Sequence, residues 1–218
     1  MSRGTPPTPL TQPGPGSAAG LGSGPGPSPR IPGVVWGSAE TYADARGRLA
    51  EVGRTSAMDL SPERTGLPGA GLVQANVSHS AGGVLRGLHL HRRQLDRWYL
   101  VAGRAFVALV DVRPVVADPA APALVETREI VADDWVEIPA GVAHGFLALE
   151  PLTLVYIVTN EYDGTDELGF SWDDPDAAVP WPRVSGTTDG LPLLSDRDRT
   201  NPPLRELAAR MRDAAGNR

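Results

Sequence analysis

Histidine is scarce in this chain, and three of its four histidines lie in two short patterns that also contain glycine. His89 and His91 belong to Gly-Leu-His-Leu-His, and His144 ends Pro-Ala-Gly-Val-Ala-His. Side chains alternate along a strand, so His89 and His91 are predicted to share one face with position 87. If both patterns face the interior of one barrel, the three imidazoles converge there. Converging imidazoles are suited to transfer protons or to bind metals. The alternative is that each histidine is only a hydrogen-bonded structural residue of the barrel.

The composition excludes several other chemistries. The 218 residues contain no cysteine, which excludes a thiolate nucleophile, a zinc–thiolate site and a disulfide framework. All 20 basic residues are arginine, so Schiff-base chemistry, covalent pyridoxal phosphate and a lysine-dependent phosphate loop are excluded as well. The net charge of -6 argues against a nucleic-acid partner. Since the sequence has neither an apolar run of about 18 to 20 residues nor a signal-peptide core, we expect no membrane partner and a cytoplasmic protein.

Short runs rich in β-branched and aromatic residues must position the histidines. They span 105–112, 135–138, 145–149 and 152–159, and residues typical of turns separate them. No helical pattern alternates with these runs. The sequence therefore predicts an all-β sandwich or small barrel.

The chain divides into three predicted segments. Residues 1–33 include 17 Gly or Pro residues, and such a stretch buries too little apolar surface to offset its chain entropy, so we predict a disordered tail. Residues 34–203 form the predicted barrel domain. Residues 204–218 form a predicted short helix and tail, because Leu204 and Leu207 begin an apolar helical face.

Two spacings around the histidines resemble the motifs of the cupin superfamily. In the first, glycine, two histidines, an acidic residue and a second glycine are matched by Gly83, His89, His91, Asp96 and Gly103. In the second, proline, glycine and histidine are matched within 139–144. The resemblance implies a cupin-type jelly-roll barrel.

A longer series of segments resembles the dTDP-4-dehydrorhamnose 3,5-epimerase family. Each segment alone is a weak signal, but their shared order over about 170 residues makes chance an unlikely explanation. The matching segments are 44–47 with Glu51, 74–80, 83–89, 110–113, 138–146, Tyr156, Tyr162, 172–175, 181–182 and 194–198.

This resemblance implies a cofactor-free epimerase that inverts carbons beside the ketone of a 4-keto-6-deoxy sugar carried on thymidine diphosphate. A proton next to a carbonyl is acidic because the resulting charge spreads onto oxygen as an enolate. In the family the base is the histidine matched by His89, the aspartate matched by Asp198 orients it, and the tyrosine matched by Tyr156 delivers a proton to the opposite face. From the residues alone, Asp198 also fits a helix cap and Tyr156 an ordinary strand aromatic.

The resemblance also implies a substrate-binding set and a second copy of the chain. The set comprises Arg46, Glu51, Gln74, Asn76, Arg86, His144, Tyr162 and Arg197. Planar guanidinium groups suit a diphosphate, and an aromatic ring suits stacking on a nucleotide base. Family members are usually homodimers, so we expect a homodimer here. The resemblance also implies a nucleotide-sugar substrate and no metal ligands.

The chain departs from the family at Asp96, where the family has a lysine. A lysine at this position is expected to stabilise the enolate oxygen, and losing one such donor costs about 100- to 1,000-fold in rate. Arg97 is predicted to face the other side of its strand. Arg92 and Arg93, in the preceding loop, are therefore the candidate substitutes.

Three alternatives follow from this departure. The first is epimerisation at a single carbon, or a modified reaction on a related nucleotide sugar. The second is a metal-binding cupin enzyme that uses His89, His91, Asp96 and His144, a ligand set acceptable to Fe(II), Mn(II), Ni(II) or Zn(II). The third is a catalytically silent binding protein that kept the barrel.

Overall fold

Antiparallel strands dominate the protein. The computed structural model describes residues 26–187 and 189–216. The strands are β1 (Gly26–Pro27), β2 (Val35–Ser38), β3 (Thr41–Asp44), β4 (Gly47–Ala50), β5 (Gln74–Ser80), β6 (Leu85–Leu90), β7 (Asp96–Ala102), β8 (Arg104–Asp111), β9 (Leu124–Val131), β10 (Asp134–Ile138), β11 (Val142–Ala148), β12 (Leu152–Val158) and β13 (Leu168–Gly169). The helices are α1 (Pro62–Thr65), α2 (Arg113–Ala117), α3 (Asp196–Thr200) and α4 (Leu204–Gly216).

The strands form two facing sheets and one separate hairpin. One sheet has the order β1-β2-β10-β7-β12-β5, the other has the order β13-β6-β11-β8-β9, and β3 pairs with β4. From β5 to β8, and again from β10 to β12, consecutive strands alternate between the two sheets. This connectivity is that of a jelly roll, so the predicted cupin-type barrel is confirmed.

Residues of β8 pack on both faces of their sheet. Val107 and Leu109 point into the core between the two sheets. Val110 points outward, into a second core that includes Leu204 and Leu207 of α4. Each fully buried aliphatic side chain contributes about 1.5–3 kcal/mol through burial. The predicted C-terminal helix is therefore stabilised by packing on the outer face of this sheet. Because β8 is buried on both faces, its sequence is a continuous apolar run.

The predicted tail is too long at its C-terminal end. β1 pairs with β2, and Ile31 is fully buried in the core between the sheets. The guanidinium of Arg64 donates hydrogen bonds to the Gly33 carbonyl at 2.9 and 3.1 Å. Residues 26–33 thus belong to the barrel, because strand pairing, one buried isoleucine and the hydrogen bonds of Arg64 hold this Gly/Pro-rich stretch in place. Residues 1–25 lie outside the described part.

The helices of the described part are short. None of them combines the length and the apolar character that crossing a bilayer requires.

Candidate active site

A pocket of about 500 Å³ opens between the two sheets. Its walls come from β5, β7 and β12 on one side and from β6 and β11 on the other, and α3 contributes to the wall as well. Nine of the eleven predicted site residues line it. They are Gln74, Asn76, Arg86, His89, His144, Tyr156, Tyr162, Arg197 and Asp198.

His89 and Asp198 form a direct hydrogen bond in the pocket wall. His89 Nε2 lies 2.7 Å from Asp198 Oδ1, although the two residues are 109 positions apart in the sequence. Asp198 lies in the first turn of α3, where the Ser195 hydroxyl caps the helix by accepting from the Asp198 amide at 3.1 Å. The alternative that Asp198 caps the C-terminal helix is wrong. The cap of that helix, α4, is Asp174, which accepts a hydrogen bond from the Leu204 amide at 2.9 Å.

The pKa of Asp198 lies below its usual value. Burial pushes this pKa upward, but the hydrogen bond from His89 and the electrostatic interaction with its ring act in the opposite direction and outweigh burial. The Ser195 hydroxyl and the Gly87 amide stabilise the carboxylate further. Asp198 is therefore ionised at neutral pH and is able to stabilise an imidazolium on His89.

The strand that carries His89 is irregular. Arg86 and His89 both line the pocket although they are three residues apart, because the pairing of β6 with β11 shifts register between them. At the shift, Gly87 adopts φ +129°, and a Cβ built there would lie 2.6 Å from the Gly145 Cα. Only glycine fits this approach. His91, predicted to share a face with His89, does line the same pocket.

Tyr156 faces the pocket from the opposite sheet. It lies on β12, whereas His89 lies on β6. Burial raises the pKa of Tyr156 above its usual value of 10.0, and the nearby charges of Asp96 and Glu167 raise it further. The phenol is therefore protonated at neutral pH and available as a proton donor.

His91, Asp96 and His144 form a second group in the same pocket. One nitrogen or oxygen of each side chain lies within 4.8 Å of the others. His91 Nε2 is 4.0 Å from Asp96 Oδ2, which is too far for a hydrogen bond. Burial lowers the pKa of His144 to about 4, so this imidazole is neutral at neutral pH.

The predicted arginine substitutes for the family lysine lie elsewhere. Arg92 Nε is 3.1 Å from Asp166 Oδ1, and the Arg93 amide donates to Asp166 Oδ2 at 2.8 Å. The structure places neither side chain in the pocket wall. As predicted, Arg97 faces the other side of its strand, where it pairs with Glu137 at 2.7 Å. Asp166 binds both Arg92 and Arg93 and keeps them away from the pocket wall. The sequence spacing did not reveal this contact.

The family assignment follows from comparison with known proteins. Residues 28–206 match the model of the family described as dTDP-4-dehydrorhamnose 3,5-epimerase. The chain belongs to this family. Because members are dTDP-sugar epimerases, the protein is an isomerase.

Individual members of the epimerase family are similar to the chain over most of its length. A relative from Sinorhizobium fredii, described as dTDP-4-dehydrorhamnose 3,5-epimerase, is 36% identical over 174 residues, which cover 76% of this chain and 82% of the relative. The solved rmlC epimerase of Mycobacterium tuberculosis superposes with a TM-score of 0.70 at 29% identity, covering 83% of this chain and 88% of the other. ChmJ, a 3'-monoepimerase from Streptomyces bikiniensis solved in complex with dTDP-quinovose, gives 0.68 at 29% identity, with 85% and 89% covered.

Two predicted substrate-binding residues of the epimerase lie outside the pocket. Arg46 is at the tip of the β3–β4 hairpin and pairs with Asp44. Glu51, just after the hairpin, pairs with Arg54. Neither residue lines the pocket of its own chain.

Five further polar residues of the epimerase line the pocket and were not among the predicted site residues: Ser78, Gln94, Asn160, Glu167 and Ser195. Gln94 donates to Asp96 Oδ2 at 3.1 Å, and Glu167 pairs with Arg197 at 2.6 Å. Two signals were available: Gln94 stands two residues before Asp96, hence on the same strand face, and Ser195 stands three residues before Asp198, as helix caps do. No comparable signal marks Glu167.

Proposed function

We propose that this epimerase removes a proton from a carbon next to the C4 ketone of a dTDP-linked 4-keto-6-deoxy sugar, in deoxysugar biosynthesis, with His89 as the base. The observation that carries the proposal is the 2.7 Å hydrogen bond between His89 and Asp198 in the pocket wall. An ionised aspartate accepts, so His89 Nε2 carries the hydrogen and Nδ1 keeps a lone pair. That lone pair takes the proton, and Asp198 stabilises the imidazolium that results.

The opposite wall of the pocket supplies the second proton. Tyr156 and His89 belong to different sheets, so a sugar bound between them has one group at each of its faces. We assign Tyr156 as the acid that donates its phenolic proton to the carbanionic carbon from the face opposite His89. This carbon then has the inverted configuration, and exchange with water restores both protein groups. No net oxidation occurs, so the proton transfers need no redox cofactor.

Two arginines and an exposed aromatic ring suit the nucleotide diphosphate. Arg86 and Arg197 line the pocket and carry permanent charges that match phosphate oxygens. Tyr162 also lines it, and the Gln74 side chain accepts a hydrogen bond from the Tyr162 amide at 2.9 Å. We infer that Tyr162 stacks on the base. The bound dTDP-quinovose of ChmJ supports this class of ligand.

We also propose a homodimer, in which Arg46 and Glu51 of one copy reach the pocket of the other. The hairpin that bears Arg46 pairs with neither sheet, and β5 is an edge strand with Val77 exposed. Unpaired edges of this kind are commonly covered by a second copy. Light scattering during size-exclusion chromatography tests this proposal, since a dimer has twice the 23.0 kDa mass of the chain. The cytoplasmic location stays a prediction from the sequence.

The second candidate function is epimerisation at one carbon only. It is favoured by Asp96, a buried acid where the family has the lysine that would stabilise an enolate. The similarity to ChmJ, described as a 3'-monoepimerase, supports it as well.

Deuterium incorporation tests both candidates. The full chain is incubated in D₂O with a dTDP-4-keto-6-deoxyglucose, and NMR reports deuterium at C3 and C5. We expect incorporation at one or both carbons in the wild type and its loss, by at least about 100-fold, in His89→Asn. His79→Asn is the matched control, since His79 is exposed and bonds Thr153 at 3.0 Å. Incorporation in His89→Asn at the wild-type rate would overturn the assignment of the base.

A further inference from the structure

The second group in the pocket consists of hydrogen-bond acceptors. His91 Nδ1 lies 2.9 Å from the Asp166 carbonyl oxygen, and His144 Nδ1 lies 3.1 Å from the Val142 carbonyl oxygen. A carbonyl accepts only, so each Nδ1 carries the hydrogen. When such a ring is neutral, its Nε2 is therefore an acceptor. A histidine that binds a metal commonly donates its other N–H in this way, which fixes the orientation of the ring.

Asp96 adds a buried carboxyl group that has no arginine partner among the described residues. It is 3% exposed, and the Gln94 amide donates to its two oxygens at 3.1 and 3.3 Å. Among residues 26–187 and 189–216, no arginine lies within ion-pair distance of Asp96. The chain has no lysine to supply one. A carboxylate buried in this way is stabilised when a cation joins it.

His89 does not belong to this group. Its Nε2 is engaged by Asp198 at 2.7 Å, so the set of four ligands predicted as an alternative reduces to three. Two imidazoles and one carboxylate are a ligand set for divalent transition metals that leaves further coordination positions open. Ligand bonds of about 2.1 Å place two donor atoms at most about 4.2 Å apart. The 4.0 Å between His91 Nε2 and Asp96 Oδ2 is within this limit.

We propose that His91, Asp96 and His144 bind one divalent transition-metal ion in the epimerase pocket. The ion would neutralise Asp96, and its open positions face the cavity that receives the sugar. Its catalytic part rests on the proposed function: the ion would polarise the ketone oxygen and stabilise the enolate, as the family lysine is expected to do. The metal site itself rests only on the geometry of the three side chains.

Metal titration of the full chain tests the proposal. The protein is stripped with a chelator, dialysed and titrated with Co²⁺ or Zn²⁺, with calorimetry for stoichiometry and visible absorption for the Co²⁺ environment. We expect one ion per chain. Asp96→Asn, which keeps the shape of the side chain, is expected to weaken binding by about 100-fold or more, whereas His89→Asn and the exposed control His79→Asn bind as the wild type does. Circular dichroism checks that each variant is folded.

The outcomes separate the metal site from the proposed function. Absence of binding, or equal binding by the wild type and Asp96→Asn, would overturn the site; wild-type deuterium incorporation in such metal-free protein would leave the function standing. One ion bound through Asp96, together with no incorporation from any 4-keto substrate, would support the site and count against the function. A second variant, His144→Gln, is expected to weaken binding as Asp96→Asn does, and full-strength binding by it would also overturn the site.

Discussion

Two histidine–aspartate pairs lie in one pocket, and they differ in how they are closed. His89 and Asp198 are joined by a hydrogen bond of 2.7 Å, whereas His91 and Asp96 stand 4.0 Å apart. In the first pair the aspartate fixes the imidazole; in the second a backbone carbonyl, that of Asp166, does so. The closed pair, His89 and Asp198, is suited to carry a proton. The open pair, His91 and Asp96, is suited to bind one metal ion between its two side chains. The partner of each ring therefore decides its chemistry more than the residue types do.

Opening the closed pair is expected to have the largest effect. Asp198→Asn keeps the shape of the side chain but removes the charge that stabilises the His89 imidazolium and favours the wrong tautomer. By analogy with other His–Asp pairs, the rate of deuterium incorporation falls by about 10,000-fold. The Co²⁺ affinity of the open pair stays unchanged. A loss of both properties together would show that the two pairs do not act separately.

Removing the phenol on the opposite wall is expected to have a smaller effect. Tyr156→Phe deletes the proposed acid but leaves His89 and Asp198 in place, so proton removal continues and epimerised product falls by about 100-fold. NMR measures both quantities in one sample. If incorporation falls as far as product formation, Tyr156 takes part in proton removal and the assignment of faces is wrong.

The pH dependence of stability is expected to show the smallest effect. The pKa of Asp198 is lowered in the folded protein, so its pairing contributes stability above the unfolded value of about 3.9 and loses it as pH falls further. The melting temperatures of the wild type and Asp198→Asn therefore approach each other below about pH 4. A difference that widens as pH falls there would contradict the direction of this pKa shift.

Local patterns predicted the scaffold well. The run at 105–112 became β8 (Arg104–Asp111), and the apolar face beginning at Leu204 became α4. Periodicity is a local property, and these elements bury their apolar faces as their spacing predicts. Ile31 escaped notice because a single buried residue has no periodicity.

Parts of the site depended on contacts between distant residues. His89 and Asp198 were paired only through the resemblance to a family, since nothing in either segment indicates the other. The distance of 109 positions is closed by the packing of α3 against β6. Arg92 and Arg93 were misplaced for the same reason, because Asp166, which binds them, lies more than 70 positions away. Charge partners across such distances are set by the fold.

The close approach of Gly87 and Gly145 lies beside two histidines of the pocket, His89 and His144. Gly87 precedes His89 by two residues and Gly145 directly follows His144, so this backbone contact helps to set the spacing between the proposed base and a proposed metal ligand. A methyl group added at Gly145 would meet the Arg86 carbonyl oxygen at 2.8 Å and force the strands apart. Both centres would be displaced at once. A mutation at this glycine contact therefore cannot move one of the two histidines without moving the other. The contact is in this way a shared constraint on how the enzyme evolves.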